Sequence, residues 1–346
     1  MKSAYLTGSQ TFEIRQTSNP TPPPGGLVLR VDACGVCGSD LRRWKEGPAP
    51  GTEPVVPGHE IAGEVLAVAP DHPQFKVGDR LAVAPDIHCG NCYYCERGLY
   101  NLCDQLHFLG ITPGYPGGFS THLPLTQEVL QNGVVHPIPD GMPSDWAALS
   151  EPCSSVLSAH EQAGTSLKDT VVVMGAGPIG CLHVAIAKSR GASVILSEPS
   201  EIRRRLAEPF GADVIINPYQ QDLESITRRA TVGVGADIVV CANPIAATQT
   251  QAVQIVRKRG KVLLFGGLPK KDPLTTLDGN RIHYGEISVV GSFSYHPTYH
   301  ALALQIIQRG VISIPDIVTH HFSLDNVRDA FQAASSGEAL KVLVTF

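Results

Sequence analysis

Val171-Val172-Val173-Met174-Gly175-Ala176-Gly177-Pro178-Ile179-Gly180 runs four apolar residues straight into a G-x-G-x-x-G turn. A short apolar run reads as a buried strand, and the stretch opening at Pro178 reads as a helix. The three glycines then play different parts. Gly175 makes the tight turn, Gly177 lets the backbone approach a pyrophosphate, and Gly180 lets helix and strand pack closely. The helix start, through Pro178 and Ile179, offers unpaired N–H groups and the positive end of its dipole to the phosphates. Glu198 lies 18 residues beyond Gly180, at the end of the next apolar run. A carboxylate there accepts the ribose hydroxyls and repels a 2′-phosphate, which favours NAD over NADP. Arg203, close by, is the residue able to hold a 2′-phosphate instead.

The same rhythm extends outward. Val171–Met174, Ser193–Leu196, Asp213–Ile216, Ala236–Cys241, Lys261–Phe265 and Glu286–Val290 read as strands, with helices at Pro178–Arg190, Glu201–Phe210, Asp222–Ala230 and Ala246–Arg257. Strands rich in Val and Ile that alternate with helices predict an α/β fold with a parallel sheet. Six strands complete a doubly wound dinucleotide-binding domain, assigned to residues 153–295. Residues 1–152 carry short apolar runs at Leu27–Val31, Ile61–Ala69 and Arg80–Ala84 between Gly- and Pro-rich turns. That texture predicts a β-rich, barrel-like domain. Residues 296–346 return to mixed texture, with a helix near Tyr299–Arg309 and a closing strand Lys341–Phe346.

A length of 346 residues fits about two domains. With 43% hydrophobic and 17% charged residues and a mean hydropathy of +0.03, the chain is globular and not disordered. A net charge of −5 leaves no basic footprint for nucleic acid or an anionic membrane. No apolar run reaches the roughly 18–20 residues of a membrane helix, and the N-terminus lacks a signal-peptide core, so a cytoplasmic location is expected. Nine cysteines in that setting point to metal binding or catalysis rather than disulfides.

Cys89, Cys92, Cys95 and Cys103 form C-x2-C-x2-C-x7-C within residues 86–105. Four thiolates at this spacing converge on one zinc ion, and four protein ligands close the site, so that zinc is structural. Iron–sulfur runs use different gaps and a following proline that is absent here. A second set comprises Cys37, His59, Glu60 and Glu151, in the segments G-V-C-G-S-D, G-H-E and S-E-P. Thiolate, imidazole and carboxylate together suit zinc, and three protein ligands with an open position make a catalytic site. Taken singly, each of these residues is more often structural. Their joint occurrence beside a dinucleotide fold is what points to a site.

In their order, G-V-C-G-S-D, G-H-E, V-G-D-R at 77–80, the four-cysteine lobe, S-E-P and G-A-G-P-I-G cover nearly the whole chain. By these motifs it resembles the zinc-containing medium-chain alcohol dehydrogenases, most closely the sorbitol/threonine dehydrogenase-like branch. The resemblance implies a GroES-like catalytic domain rejoined by the C-terminal tail, a Rossmann NAD-binding domain, and a cleft between them. It implies two zinc ions per chain, with the catalytic one at Cys37 and His59 and with Glu60 or Glu151 as further ligands. It makes Ser39 the hydroxyl that takes the alcohol's proton and Asp40 the carboxylate that orients His59. It also implies a homodimer or homotetramer, through edge strands such as Glu286–Val290.

The expected activity is transfer of hydride between a secondary alcohol of a polyol or sugar and NAD. Alternatives are a sugar-phosphate alcohol or an L-threonine-like amino alcohol as substrate, a non-redox reaction through transient oxidation by NAD, and a non-enzymatic binding protein. Three positions depart from the family pattern. Arg42 replaces the histidine that usually continues the proton relay, Arg43 replaces a common aromatic, and Ser294 replaces an arginine beside Tyr295. Arg43, Ser294 and Tyr295 are accordingly candidate substrate-pocket residues, with the pocket's cation moved to Arg43 or, alternatively, Arg43 a solvated surface residue. His107 joins them because its stretch lines the cleft in relatives, the alternative being a histidine packed beside Phe108.

Overall fold

A computed structural model describes residues 1–49, 51–70 and 74–346, which form two units. One comprises Ser155–Ser294 with Val311–Ile317. Its six strands lie in the order Val214–Ile216, Ser193–Ser197, Thr170–Met174, Ala236–Cys241, Val256–Leu264 and Ser288–Gly291. All pair in parallel, as βαβ connections require. The strand Thr170–Met174 is central because Val171, Val172 and Val173 can be buried on both faces. Helix Pro178–Ser189 buries a continuous run from Gly180 to Ala187.

Differences from the sequence reading are local. Arg257, expected to end a helix, lies in the strand that begins at Val256, because the helix stops at Ile255 where β-branched residues take over. Glu286 is not in the edge strand. It caps helix Gly279–Gly285 in a left-handed conformation, and the strand starts at Ser288. Residues 311–317, which the sequence texture puts in the tail, belong to this second unit, where Ile312, Ile314 and Ile317 are buried.

The other unit comprises Met1–Ser154, Tyr295–Gly310 and Val318–Phe346. Its eight-stranded sheet runs Val318–Ser323, Lys341–Thr345, Leu27–Gly35, Glu60–Val68, Arg80–Ile87 and His107–Phe108, with His122–Leu125 and Gly133–Pro137 pairing as branches. The tail adds a parallel strand–helix–strand crossover through Val327–Ser336, which the sequence texture does not resolve. Phe331 of that helix packs on Phe12, Trp44 and Phe119. Among the described residues, no helix is long and apolar enough to cross a membrane.

Two histidines are buried together in the dinucleotide-fold unit. His183 Nδ1 stands 3.1 Å from His160 Nε2, and His160 Nδ1 is 2.8 Å from Thr165 Oγ1. Burial pulls His160 down to about 3, and burial with the neighbouring His160 holds His183 well below the usual imidazole range. Both are therefore neutral when folded, while the unfolded chain takes up their protons near pH 6.5. Their contribution is complete above that pH and is lost as pH falls below it. At pH 5 the loss is on the order of 2 kcal/mol for His160 alone. Urea unfolding is expected to show a lower midpoint at pH 5 than at pH 7.5, with a smaller drop in His160→Gln; equal drops in both proteins would refute the assignment.

Candidate metal centre and cofactor loop

Cys37 stands immediately before helix Gly38–Glu46, and Asp40 reaches back one turn so that its Oδ2 accepts the Cys37 N–H at 3.1 Å. The other oxygen of Asp40 stands 3.5 Å from His59 Nδ1. One buried carboxylate therefore positions both the thiol-bearing residue and the imidazole. Burial disfavours charge on both groups, yet their mutual attraction lowers the pKa of Asp40 and, with Cys37, holds His59 well above its ordinary value in the metal-free protein. Ser39 Oγ is 3.4 Å from His59 Nε2.

Glu60 opens the strand Glu60–Val68 and pairs with Gly35 across the sheet. Only glycine fits there, since a Cβ on Gly35 would stand 1.8 Å from Glu60 Oε2. The partner of Glu60 is Lys341, which the sequence reading places only at the head of the closing strand. Its Nζ donates to Glu60 Oε1 at 2.5 Å and to Val36 O at 3.1 Å. Nζ also pairs with Oε2, at an angle that makes no hydrogen bond. Burial lowers the lysine's pKa, and Glu60 together with Cys37 and Glu151 more than restores it, so the ammonium stays charged.

The donor atoms of Cys37, His59 and Glu60 all lie within 4.8 Å of one another. Two of their buried atoms, His59 Nδ1 and Glu60 Oε2, have no hydrogen-bond partner among the described residues. A soft thiolate, an imidazole and a carboxylate that bring one donor atom each to a common point fit a zinc ion. Glu151 is not in this set. Its Oε1 accepts the Tyr295 hydroxyl at 3.0 Å, and burial, with Glu60 and Asp86 opposing the attraction of His59, pushes it up to about 7.

Cys89, Cys92, Cys95 and Cys103 make a second cluster within the same distance limit. The Cys89 and Gln105 N–H groups donate to Cys103 Sγ at 3.2 and 3.3 Å. Backbone donors from Cys95 and Asp104 pull Cys92 down to about 6, the direction that favours a thiolate ligand. The remaining cysteines Cys34, Cys153, Cys181 and Cys241 are buried, and burial raises all four, so they behave as packing residues.

In the glycine loop, Gly175 has φ +110°, a Cβ on Gly180 would meet Gly175 O at 1.9 Å, and nothing lies within 4 Å of a Cβ on Gly177. Gly177 caps helix Pro178–Ser189 with Pro178 in the first turn, and Ile179 follows. Open space before a helix N-terminus suits a pyrophosphate. Glu198 is buried, and its oxygens accept the N–H groups of Ala176 at 2.8 Å and Ser200 at 2.9 Å. It thus ties the glycine loop to the next turn, with one lone pair left on each oxygen. Arg204, which the sequence does not single out, donates to the carbonyls of Glu198 and Pro199. Arg203 makes no side-chain hydrogen bond or ion pair among the described residues.

The candidate pocket residues differ in their contacts. Arg43 Nη1 donates to Gly110 O at 3.0 Å. His107 stacks on Tyr115 at 5.0 Å. Ser294 sits at φ +50° in the other unit. Tyr295 is 1% exposed, and its hydroxyl is committed to Glu151, so it positions that carboxylate.

Two family descriptions match: "Alcohol dehydrogenase GroES-like domain" over residues 23–140 and "Zinc-binding dehydrogenase" over residues 178–309. The chain belongs to the zinc-containing medium-chain dehydrogenase family. This dehydrogenase is 33% identical to a sorbitol dehydrogenase of Halalkalibacterium halodurans, across 100% of its own length and 99% of the relative's. It is 32% identical to a D-arabitol-phosphate dehydrogenase of Enterococcus avium, across 99% and 96%. Among solved structures, a zinc-binding dehydrogenase of Sinorhizobium meliloti bound to NADP superposes with a TM-score of 0.91 at 30% identity, covering 100% and 99%. The dehydrogenase is an oxidoreductase that uses zinc and a nicotinamide cofactor on a small-molecule alcohol.

The buried Lys341–Glu60 pair generates a stability test. Lys341→Met strands a buried carboxylate and is expected to cost about 3–5 kcal/mol. Lys341→Met combined with Glu60→Gln is expected to recover most of that loss in urea unfolding; additive losses in the double variant would show the pair is not coupled.

Proposed function

We propose that this dehydrogenase takes hydride from the carbon that bears a secondary hydroxyl of a polyol or sugar and delivers it to NAD, with one zinc ion held by Cys37, His59 and Glu60 and a second by the four-cysteine lobe. The observation that carries the reading is the convergence of those three donor atoms, with one oxygen of Asp40 on the Cys37 N–H and the other 3.5 Å from His59 Nδ1. When bound, the first zinc supplies the Lewis acidity that lowers the substrate hydroxyl's pKa, and the nicotinamide supplies the hydride acceptor.

The chain's own residues do the rest. Ser39, beside His59, receives the hydroxyl proton. Arg42 is exposed and carries no acceptor, so Ser39 passes the proton to water or to the cofactor ribose. Asp40 fixes the imidazole's orientation, and Lys341 balances the charge of Glu60. Tyr295 holds Glu151 outside the donor set. Gly175, Gly177 and Gly180, with the helix start at Pro178 and Ile179, cradle the pyrophosphate, and the free lone pairs of Glu198 accept ribose hydroxyls. NADP is the second reading, because Arg203 makes no ion pair among the described residues and an NADP-bound relative exists. The polyol assignment follows the sorbitol dehydrogenase relative.

Metal analysis and initial rates test this together. The wild-type chain is expected to bind two zinc ions and to form NADH from a polyol. Cys37→Ser is expected to retain one zinc and to lose activity on the order of 1,000-fold. Cys92→Ser is expected to lose the other zinc and to melt at lower temperature. Unchanged zinc content and rate in Cys37→Ser would remove the catalytic assignment, and a faster reaction with NADP would remove the cofactor assignment.

A further inference from the structure

Arg43 lies one helical turn after Ser39 on helix Gly38–Glu46, and residues four apart share a helix face. Its side chain is half-buried and gives one N–H to Gly110 O. Gly110 is in turn fixed against the metal-donor segment. It has φ +70°, its N–H donates to Tyr115 O at 2.9 Å, and a Cβ on it would stand 2.5 Å from Gly58 O. Gly58 immediately precedes His59. The guanidinium is therefore anchored, through two backbone contacts, to the strand end that carries two of the three metal donors.

What Arg43 lacks is an anion. It makes no ion pair among the described residues. The carboxylate acting on it is Asp40, whose oxygens are already turned to Cys37 and His59. A guanidinium has five donors in a planar fork suited to a carboxylate or phosphate, and among the described residues one of them is engaged, by a neutral carbonyl. A partly desolvated cation with unused donors, on the same helix face as Ser39, has no ion-pair partner among the described residues.

We propose that Arg43 is a specificity residue that pairs with an anionic group, a phosphate monoester or a carboxylate, carried by the alcohol substrate. This rests on reading Cys37, His59 and Glu60 as the place where the alcohol is oxidised. It selects an acidic polyol over the neutral alditol within that reading.

The test compares a phosphate monoester of arabitol with arabitol and gluconate with sorbitol, by initial rates and by calorimetric binding to the zinc-loaded protein. Wild type is expected to favour at least one anionic member by about tenfold or more in kcat/KM, and the pair showing the preference identifies phosphate or carboxylate. Arg43→Gln, which keeps an N–H for Gly110 O, is expected to lower kcat/KM for that member about 10- to 100-fold, mainly through KM. The loss for the neutral partner is expected to be at least about tenfold smaller. Arg43→Lys, which retains the charge, is expected to fall between the two and carries the comparison should the glutamine variant not fold. Equal losses for charged and neutral members, or a wild-type preference for the neutral alditols, would overturn the proposal and leave Arg43 as an anchor for Gly110. Should wild type with two zinc ions oxidise none of these alcohols, the proposed activity on polyols fails, and calorimetry still decides on Arg43. Weaker binding of the anion by the variant supports the proposal, while equal binding, or none to wild type, overturns it.

Discussion

A lysine ammonium from the last strand and a glutamate carboxylate from the strand Glu60–Val68 meet in the interior, 281 positions apart in sequence. Neither charge is tolerable there alone, because removing an ion from water costs several kcal/mol unless close partners replace the solvent. Lys341 finds Glu60 and the carbonyl of Val36; Glu60 finds Lys341. The closing strand Lys341–Thr345 is thereby locked beside Leu27–Gly35, whose last residue, Gly35, leaves space for the carboxylate. The C-terminal crossover thus reaches the candidate metal centre directly.

The centre shows how few groups need placing once such a pair is in position. Asp40 is held within the first turn of a helix and addresses both Cys37 and His59. His59 and Glu60 are consecutive, so one strand start delivers imidazole and carboxylate together. Functional side chains carried on regular elements and braced by second partners keep their geometry with little reorganisation. Tyr295 and Glu151 form a similar buried pair next to this set.

Legibility in the sequence follows the range of the interactions. The glycine loop is readable because strand, turn and helix are contiguous, and the four cysteines because their spacing is local. The parallel sheet follows from Val- and Ile-rich periodicity, while Glu286 and Arg257 are misplaced at element ends, where caps and β-branched neighbours decide the boundary. Lys341 is invisible because its partners are 281 and 305 residues away, although a lone lysine heading an apolar terminal strand is a signal worth reading. Tyr295 reads as a pocket residue because nothing local reveals that its hydroxyl is bound to Glu151, 144 residues earlier. Glu198 is recognisable, but its bonds to Ala176 and Ser200 belong to the folded turn alone.

In the proposed function the chain holds one zinc among four thiolates and another in a site with a single thiolate. X-ray absorption at the zinc edge of the purified, zinc-saturated protein measures this directly. Five thiolates shared by two ions give an average of about 2.5 sulfur neighbours per zinc, the remainder being nitrogen and oxygen. An average of about four sulfurs, with no nitrogen shell, would place zinc in the cysteine lobe alone and rule out a zinc ion at Cys37, His59 and Glu60.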